Sequence, residues 1–527
     1  MTTIPLWQAL LLTVLAAVCA QRRVVGWTYL FQLDEYQPSR IWRTARRRFA
    51  SNWRWQLALA VGALAMAVVA ARPAPLPRVA PLALAALLVL GTDRPFERRG
   101  ELRWTSRARE LAVLAAVLLV LAFFFALWNG WPGAVVLGAV DVLTVAALCI
   151  AVGLSAPAQS RRRSRYMAQA EQLIESVGPL VIGITGSYGK TTAKLFLQQL
   201  LDSEAAPCFA TPGSFNTTLG VCRAINDGLR PEHRFAVVEM GAYRRGEVAE
   251  ICSFTHPVMG IVTAVGVMHL ERFGSPQRIA QAKSELLAAL PESGVAAMPS
   301  AIAERELLTA PLRARPIWVG QPGDRWWAEE LDIDPEGSSL RMRGSGGEDL
   351  LIRVPLHGIP IVTDLLCAWA IAVEVGIPVP VLVERAAQLK GAPHRLEVSR
   401  TGGITIIDDA YNSNPDGAAE ALRLLARLPG QRRVLVTPGF IELGPLQEQS
   451  MRELGRRAAT VCTHVILVGP RQSAAVAVGL EQAGYPNSRL TVAKNLEEAQ
   501  RQLPQVAGEG SVVLFENDLP DSYLELG

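Results

Sequence analysis

The chain has 527 residues, with 52 Lys and Arg against 48 Asp and Glu, and its net charge of +4 excludes the basic character of a general nucleic-acid binder. Half of the residues are hydrophobic, and the long apolar runs all fall before Ser155. Seven cysteines (Cys19, Cys149, Cys208, Cys222, Cys252, Cys367, Cys462) are scattered with no CxxC pair, which argues against a disulfide partner or a zinc site and for a reducing compartment around the soluble part.

Five apolar stretches open the chain: Ile4–Ala20, Gln56–Ala71, Val79–Leu90, Leu111–Leu127 and Ala134–Leu154. A spanning helix needs roughly 20 apolar residues, which the fourth and fifth meet best. The third is short and has Pro73–Pro77 ahead of it at the interface. The segment before the first stretch has no Lys or Arg, so it reads as a span and not as a cleaved secretory signal. Arginines crowd alternate connections: Arg22 to Arg54, Arg94 to Arg109, and Arg161 to Arg165. The positive-inside rule then places the N-terminus outside and everything after the fifth stretch in the cytoplasm. The expectation is a multi-pass domain over residues 1–160 in the inner or plasma membrane, in contact with the lipid bilayer. Eight of the twelve tryptophans lie in this third of the chain, several at span ends, as interfacial belts require. Asp141 falls inside the fifth stretch, where a carboxylate either makes a polar or headgroup contact or reaches interfacial water.

Val181–Ile184 reads as a short buried strand, and Lys194–Leu201 as a helix. Between them runs Thr185-Gly186-Ser187-Tyr188-Gly189-Lys190-Thr191-Thr192. A glycine-bearing turn from strand to helix aims backbone N–H groups and a helix N-terminus at an anion. Lys190 can reach β- and γ-phosphates, and the Thr191 hydroxyl can ligate Mg²⁺. Thr185, Gly186, Ser187, Gly189, Lys190, Thr191 and Thr192 are therefore the candidate nucleotide-binding residues. The strict phosphate-loop pattern wants glycine where this chain has Ile184.

Downstream, strand-like runs (Arg234–Met240, Gly260–Gly266, Val434–Thr437, Val465–Gly469, Ser511–Glu516) alternate with helical stretches (Ser275–Leu290, Asp416–Leu428, Leu446–Ala459). This is the α/β pattern of parallel sheets covered by helices. The predicted fold is an N-terminal α-helical membrane domain followed by α/β: a central phosphate-loop domain with a parallel-type sheet over residues 165–391, and a C-terminal Rossmann-like α/β domain over residues 392–527.

Several further segments follow in order: Gly213-Ser214-Phe215-Asn216-Thr217-Thr218-Leu219-Gly220, Val237-Val238-Glu239-Met240-Gly241-Ala242, His269-Leu270-Glu271-Arg272-Phe273-Gly274-Ser275, Ala282-Lys283-Ser284-Glu285, His394-Arg395-Leu396-Glu397, Asp408 to Asp416, and Ile441-Glu442-Leu443-Gly444. With the TGxxGKT form of the loop, this succession resembles the Mur ligases. The resemblance is greatest to the branch that adds D-alanyl-D-alanine to a muramoyl tripeptide. It runs from about Gly183 to Gly444.

The resemblance implies an ATP-dependent ligase of peptidoglycan synthesis that joins a carboxylate to an amine through an acyl phosphate, with ATP and Mg²⁺. Lys190, His269, Lys283 and Arg395 are then the expected catalytic residues. Thr191, Glu239 and His269 are the expected metal ligands, and Lys283 matches a lysine that several members carbamylate. Arg395 would reach the γ-phosphate. Asp409 and Asn414 would lie at the nucleotide, and Asn216 and Thr217 at the substrate. The implied partners are a UDP- or lipid-linked muramoyl peptide and an amino acid or dipeptide amine.

The chain departs from the pattern in three places. The family's Asn/Asp cluster is missing around Pro299-Ser300, its His-Asn pair at Gly358-Ile359-Pro360-Ile361, and its basic C-terminal run at Glu516 to Asp521. The apolar stretches stand where the branch carries a soluble UDP-gripping domain, which points to a lipid-linked acceptor at the cytoplasmic leaflet or to a plain anchor. Other readings are a polyglutamate-type ligase, a membrane scaffold with a relic nucleotide site, and an ATP-driven transporter; the transporter would need an ABC-type signature or a broken-helix path, and neither is present.

Overall fold

The computed structural model describes residues 24–32, 36–51, 102, 104–128, 140–334, 336–411 and 413–517. It divides into two compact units between Arg162 and Arg163.

The first unit holds a helical segment at 24–32, α1 (Pro38–Ser51), α2 (Ser106–Trp128) and the beginning of α3 (Val140–Val177). Trp27, Phe31, Ile41, Leu111, Leu119, Val145 and Leu148 pack together with Ala108, Ala112, Ala115, Ala147 and Ala151. Alanines at these contacts let helix backbones approach closely. The first three apolar stretches and the Asp141 side chain lie outside what is described. The fourth stretch falls within α2. The fifth does not end in an arginine-bearing loop: α3 runs unbroken through Pro157 and the arginines to Val177. Arginine is a good helix former, so a change from apolar to charged residues need not end a helix. Among the described residues, one stretch, Val142–Val177, is long and apolar enough to cross a membrane.

The second unit carries two sheets. The first is built from β1 (Leu180–Thr185), β2 (Cys208–Ala210), β3 (Phe235–Glu239), β4 (Met259–Val262), β5 (Val295–Pro299), β6 (Arg315–Val319), β7 (Trp326–Asp334), β8 (Gly337–Gly344) and β9 (Asp349–Val354). Its order is β2-β3-β1-β4-β5-β6-β7-β8-β9. Strands β1 to β6 pair in parallel, whereas β7, β8 and β9 pair antiparallel. The expected parallel sheet is therefore mixed. Parallel neighbours need a long crossover, while Gly337 at φ 148° and Gly347 at φ 93° let the chain reverse tightly and pair with itself. β1 sits where the strand order reverses, with β3 on one side and β4 on the other. In an open α/β sheet the crevice at such a switch point, beyond the carboxyl ends of the strands, is where ligands bind.

Two apolar layers cover this sheet. On one face α4 (Lys190–Leu201) and α8 (Ile359–Glu374) bury Phe196, Leu197, Leu200, Leu365 and Trp369 against Ile182, Ile184 and Val237, with Trp326 edge-on to Trp369 at 6.0 Å. The other face is covered by α5 (Thr218–Gly228), α7 (Pro276–Ala289) and the last turns of α3, through Ile225, Leu286 and Ile174. Between β4 and α7 lies a single-turn helix, α6 (Leu270–Phe273). Each fully buried Leu, Ile or Phe contributes about 1.5–3 kcal/mol, which holds β1 rigid under the loop that leaves it.

The second sheet comprises β10 (Glu397–Thr401), β11 (Ile404–Asp409), β12 (Arg432–Thr437), β13 (His464–Val468), β14 (Leu490–Ala493) and β15 (Ser511–Glu516), ordered β10-β11-β15-β12-β13-β14. Only the edge strand β10 is antiparallel. α9 (Pro415–Arg427) follows β11, and its Leu422 and Leu425 pack on Ile407 and Leu514.

Candidate active site

The loop after β1 is shaped by two glycines. Gly189 has φ 81°, and a Cβ there would stand 2.3 Å from Asp364 Oδ1. A Cβ on Gly186 would stand 2.1 Å from Thr263 Oγ1. Neither position has room for a side chain, so the backbone makes a cradle. Thr185 donates from its hydroxyl to the Met240 carbonyl at 2.8 Å, and Ser187 accepts from Gly266 N at 2.9 Å, which tie the loop to the ends of β3 and β4. Lys190, at the first turn of α4, folds back and donates to the Gly186 and Ser187 carbonyls at 2.8 and 3.1 Å. Burial brings its ammonium down to about 8, against the pull of Glu239.

Glu239 ends β3 and is fully enclosed. Its Oε1 accepts from the Thr191 hydroxyl at 3.2 Å and from Asn216 Nδ2 at 2.9 Å; its Oε2 accepts from Lys194 Nζ at 3.0 Å. Burial alone would raise this carboxyl, but Lys194, Lys190 and Asn216 outweigh burial and hold it below the usual carboxylate range. The Thr191–Glu239 oxygen separation suits two neighbouring ligands of an octahedral cation, whose bonds of about 2.0–2.1 Å set adjacent oxygens roughly 3 Å apart. The donor set therefore fits Mg²⁺.

Lys283 projects from α7 into the same cleft and is only 3% exposed. Burial, with Lys190 nearby, lowers its ammonium to about 7. His269 precedes α6 in a left-handed conformation, φ 58°. Its Nδ1 lies 2.5 Å from Glu442 Oε2, and its ring meets Tyr243 edge-on at 4.8 Å. Burial keeps this imidazole below its ordinary range against the opposing pull of Glu442. Glu442 also accepts from Arg272 Nε at 3.0 Å and from Arg272 Nη2. Although burial would raise it, His269 and Arg272 bring the Glu442 carboxyl to about 2.

From the second sheet, Arg395 lies over the Tyr411 ring at 4.6 Å, and its charge is felt at Lys190, Lys194 and Asp364. Its neighbours His394 and Leu396 are both left-handed, at φ 58° and 49°. They are pinned by β11: His394 Nδ1 is 2.7 Å from Asp408 Oδ2, and Leu396 N donates to Asp409 Oδ1 at 3.1 Å. Asp409 is raised to about 6 by burial. Tyr188 of the phosphate loop donates to Asp416 at 3.0 Å, and Ser214 bonds Tyr411, so both sheets contribute to one site.

Gly186, Ser187, Lys190, Asn216, His269 and Lys283 line a single cleft. Thr191 joins them through Glu239. Thr192 is buried in the first turn of α4. Two further expected residues also cap helices: Thr217 caps α5 by accepting from Gly220 N, and Asn414 caps α9 by accepting from Asp416 N and Gly417 N. Sequence reasoning missed Lys194, Asp364 and Glu516. Lys194 and Asp364 each interrupt an apolar helical run, as AKLFL and TDLLC, which is the available signal. Glu516 ends β15 and receives the Ser413 hydroxyl.

Two family profiles match the chain: the Mur ligase middle domain over residues 184–372 and the Mur ligase, glutamate ligase domain over residues 394–516. The UDP-N-acetylmuramoyl-tripeptide–D-alanyl-D-alanine ligase of Escherichia coli (strain K12) is 29% identical over 344 residues, covering 64% of this chain and 75% of the relative. That of Treponema pallidum (strain Nichols) is 32% identical over 334 residues, covering 63% and 69%. The Mycobacterium tuberculosis (strain ATCC 25618 / H37Rv) enzyme is 35% identical over 326 residues, covering 58% of this chain but only 61%, less than two thirds, of the relative. Among solved structures, a MurF from Acinetobacter baumannii superposes with a TM-score of 0.61 at 28% identity, covering 68% of this chain and 78% of that one. A folylpolyglutamate synthase from Mycobacterium tuberculosis shares the fold, with a TM-score of 0.54 at 17% identity over 68% of this chain and 93% of its own. With both profiles matched in order, and with the loop, strand-end carboxylate and cleft lysines gathered at one switch point, the chain belongs to the Mur ligase family of ATP-dependent ligases.

Proposed function

We propose that the chain is a membrane-held ligase that forms an amide bond on a peptidoglycan precursor, with its catalytic unit in the cytoplasm. The observation that carries the reading is the single cleft lined by Lys190, Lys283, His269 and Asn216, with Thr191 and Glu239 bonded to each other beside it. The relatives' names supply the expected substrates, a UDP-linked muramoyl tripeptide and D-alanyl-D-alanine.

Lys190 and the Gly186–Gly189 backbone hold the β- and γ-phosphates of ATP, leaving the γ-phosphorus open to the acceptor carboxylate. A carboxylate oxygen attacks phosphorus, the bond to the β-phosphate oxygen breaks and ADP leaves. The neutral amine nitrogen then attacks the acyl carbon through a tetrahedral intermediate; the acyl carbon–oxygen bond breaks, and inorganic phosphate departs with the proton the nitrogen loses. Thr191 and Glu239 would hold Mg²⁺ and His269 a second ion, which when bound neutralise the phosphate charge. Arg395 closes the site from the second sheet, adds positive charge to the transferred phosphoryl group and helps exclude water from a hydrolysable intermediate. The Lys283 ammonium, depressed by burial, would give a proton to solvent, and the free amine would add carbon dioxide with loss of a second proton; the resulting carbamate would support the metal.

The membrane reading is supported by α2. Val113, Val117, Val120, Leu121, Phe124 and Phe125 are exposed along one face, while Ala108, Leu111, Ala112, Ala115 and Leu119 are buried on the other. An apolar face of that extent on a soluble helix would be costly, and lipid removes the cost. The acceptor is UDP-linked or lipid-linked.

The test is purified protein with ATP, Mg²⁺, D-alanyl-D-alanine and either the UDP-linked or the lipid-linked muramoyl tripeptide, read as amide product by mass. Product from either, lost in Lys190→Ala, is expected. No product from either acceptor, or an undiminished yield in Lys190→Ala, refutes the reading.

A further inference from the structure

The Ile441–Gly444 motif has no part in the mechanism above, yet the structure places its glutamate on a residue lining the cleft. Glu442 follows β12 of the second sheet, 173 positions from His269. One carboxylate oxygen takes His269 Nδ1 at 2.5 Å; the other takes Arg272 Nε at 3.0 Å and Arg272 Nη2; its carbonyl accepts from Glu271 N at 3.2 Å. A single residue of the second sheet thus grips the 269–272 segment of the first by side chain and backbone together.

We propose that Glu442 is the positioning residue of His269: it fixes the imidazole so that Nε2 is presented to the cleft, and it does so only while the two sheets are packed together. The inference rests on the ligase reading of the cleft.

Arg272 donates to the same carboxylate, which therefore stays ionised and acts only as an acceptor. Nδ1 must then carry the proton, and Nε2 is the lone-pair nitrogen left for a metal or phosphate-bound cation. The ring cannot swing away. Tyr243 abuts it edge-on at 4.8 Å, and the Arg272 guanidinium stacks on Tyr243 at 4.2 Å. Both partners also sit in the left-handed region, His269 at φ 58° and Glu442 at φ 61°. Each such residue costs on the order of 1–3 kcal/mol and persists only where its surroundings hold it. Two of them facing each other across one hydrogen bond indicate that the contact is selected for geometry. Because the carboxylate arrives from the other sheet, an open arrangement leaves His269 unoriented.

The experiment uses full-length protein with Glu442→Gln, His269→Ala and the double variant. The first readout is Mn²⁺ binding by the loss of its free EPR signal, with a non-hydrolysable ATP analogue present; the second is kcat and KM for amide formation. Glu442→Gln is near-isosteric but offers His269 an amide in place of an ionised acceptor. It is expected to weaken Mn²⁺ binding and to lower kcat by about 10–100-fold, the usual effect of removing a ligand's outer partner, with KM for ATP nearly unchanged. In the His269→Ala background the same change is expected to do nothing further. Equal losses in both backgrounds, or Mn²⁺ binding within twofold of wild type in Glu442→Gln, overturn the proposal. If wild type makes no amide, the ligase reading fails by itself, while the Mn²⁺ titration still decides whether Glu442 acts through His269.

Discussion

Lys194→Met is the sharpest test of how the site is held together. Lys194 and Glu239 are enclosed at 0% and 1% side-chain exposure, and the ammonium bonds Glu239 Oε2 at 3.0 Å as well as the Gly213 carbonyl. Methionine keeps the apolar stem but leaves one carboxylate oxygen and one carbonyl without their donor. Breaking one side of a buried ion pair costs about 3–5 kcal/mol, because the remaining charge is stranded. At about 2–4 °C per kcal/mol for a domain of this size, the midpoint falls by about 6–20 °C. Differential scanning calorimetry of the full chain without nucleotide is the assay. Lys194→Met/Glu239→Gln should recover most of the loss, since neither charge is then stranded. Adding Mg²⁺ and ATP should stabilise the single variant more than wild type, a cation replacing the ammonium. The pH dependence has a definite sign. The folded Glu239 carboxyl lies below its unfolded value of about 4.3, so its contribution is complete above that pH and is lost as pH falls through the folded value, whereas burial lowers the Lys194 ammonium, so its own contribution rises with pH towards its unfolded value of about 10.4. A Lys194→Met protein as stable as wild type, or a double variant weaker than the single, would refute the reasoning.

Lys283 has its folded value near 7 against an unfolded value of about 10.4, so the unfolded chain holds more protons between them and stability should rise with pH across that window. Lys283→Met should flatten the rise, and a carbamate signal in ¹³C-bicarbonate should disappear with it. Gly189→Ala places a methyl 2.3 Å from Asp364 Oδ1 at φ 81° and should weaken ATP binding at least about tenfold, roughly 1.4 kcal/mol, by calorimetric titration. Unchanged affinity would mean the cradle is not the phosphate site. Val117→Arg puts a charge on the exposed face of α2; at about 2.5–3.5 kcal/mol for a helix centre, it should lower the thermal midpoint of the protein in detergent-free membranes while leaving its midpoint in detergent micelles less affected. Equal midpoints for variant and wild type in membranes would rule out a lipid-facing role for this side.

Much of the catalytic unit was legible because its signals are local. A strand, a glycine turn and a helix follow one another within Leu180 to Leu201, and the rigid geometry of those elements puts Lys190 and Thr191 where a phosphate loop needs them. Glu239 was readable as the polar end of an apolar strand, and Arg395 from its motif. The sequence could not say which partner each buried charge would take. Lys194 reads as one more polar residue on a helix until β3 brings Glu239 against it, 45 positions away. Asp364 gains meaning only because α8 packs under Gly189. The grip of Glu442 on His269 is likewise a long-range pairing, across 173 positions. Its identity depends on which surfaces meet, and no window of neighbouring residues encodes that. Residue order determined the chemistry on offer; packing of the two sheets decided which groups stand within hydrogen-bond reach, because burial makes an unpaired charge too costly to leave alone.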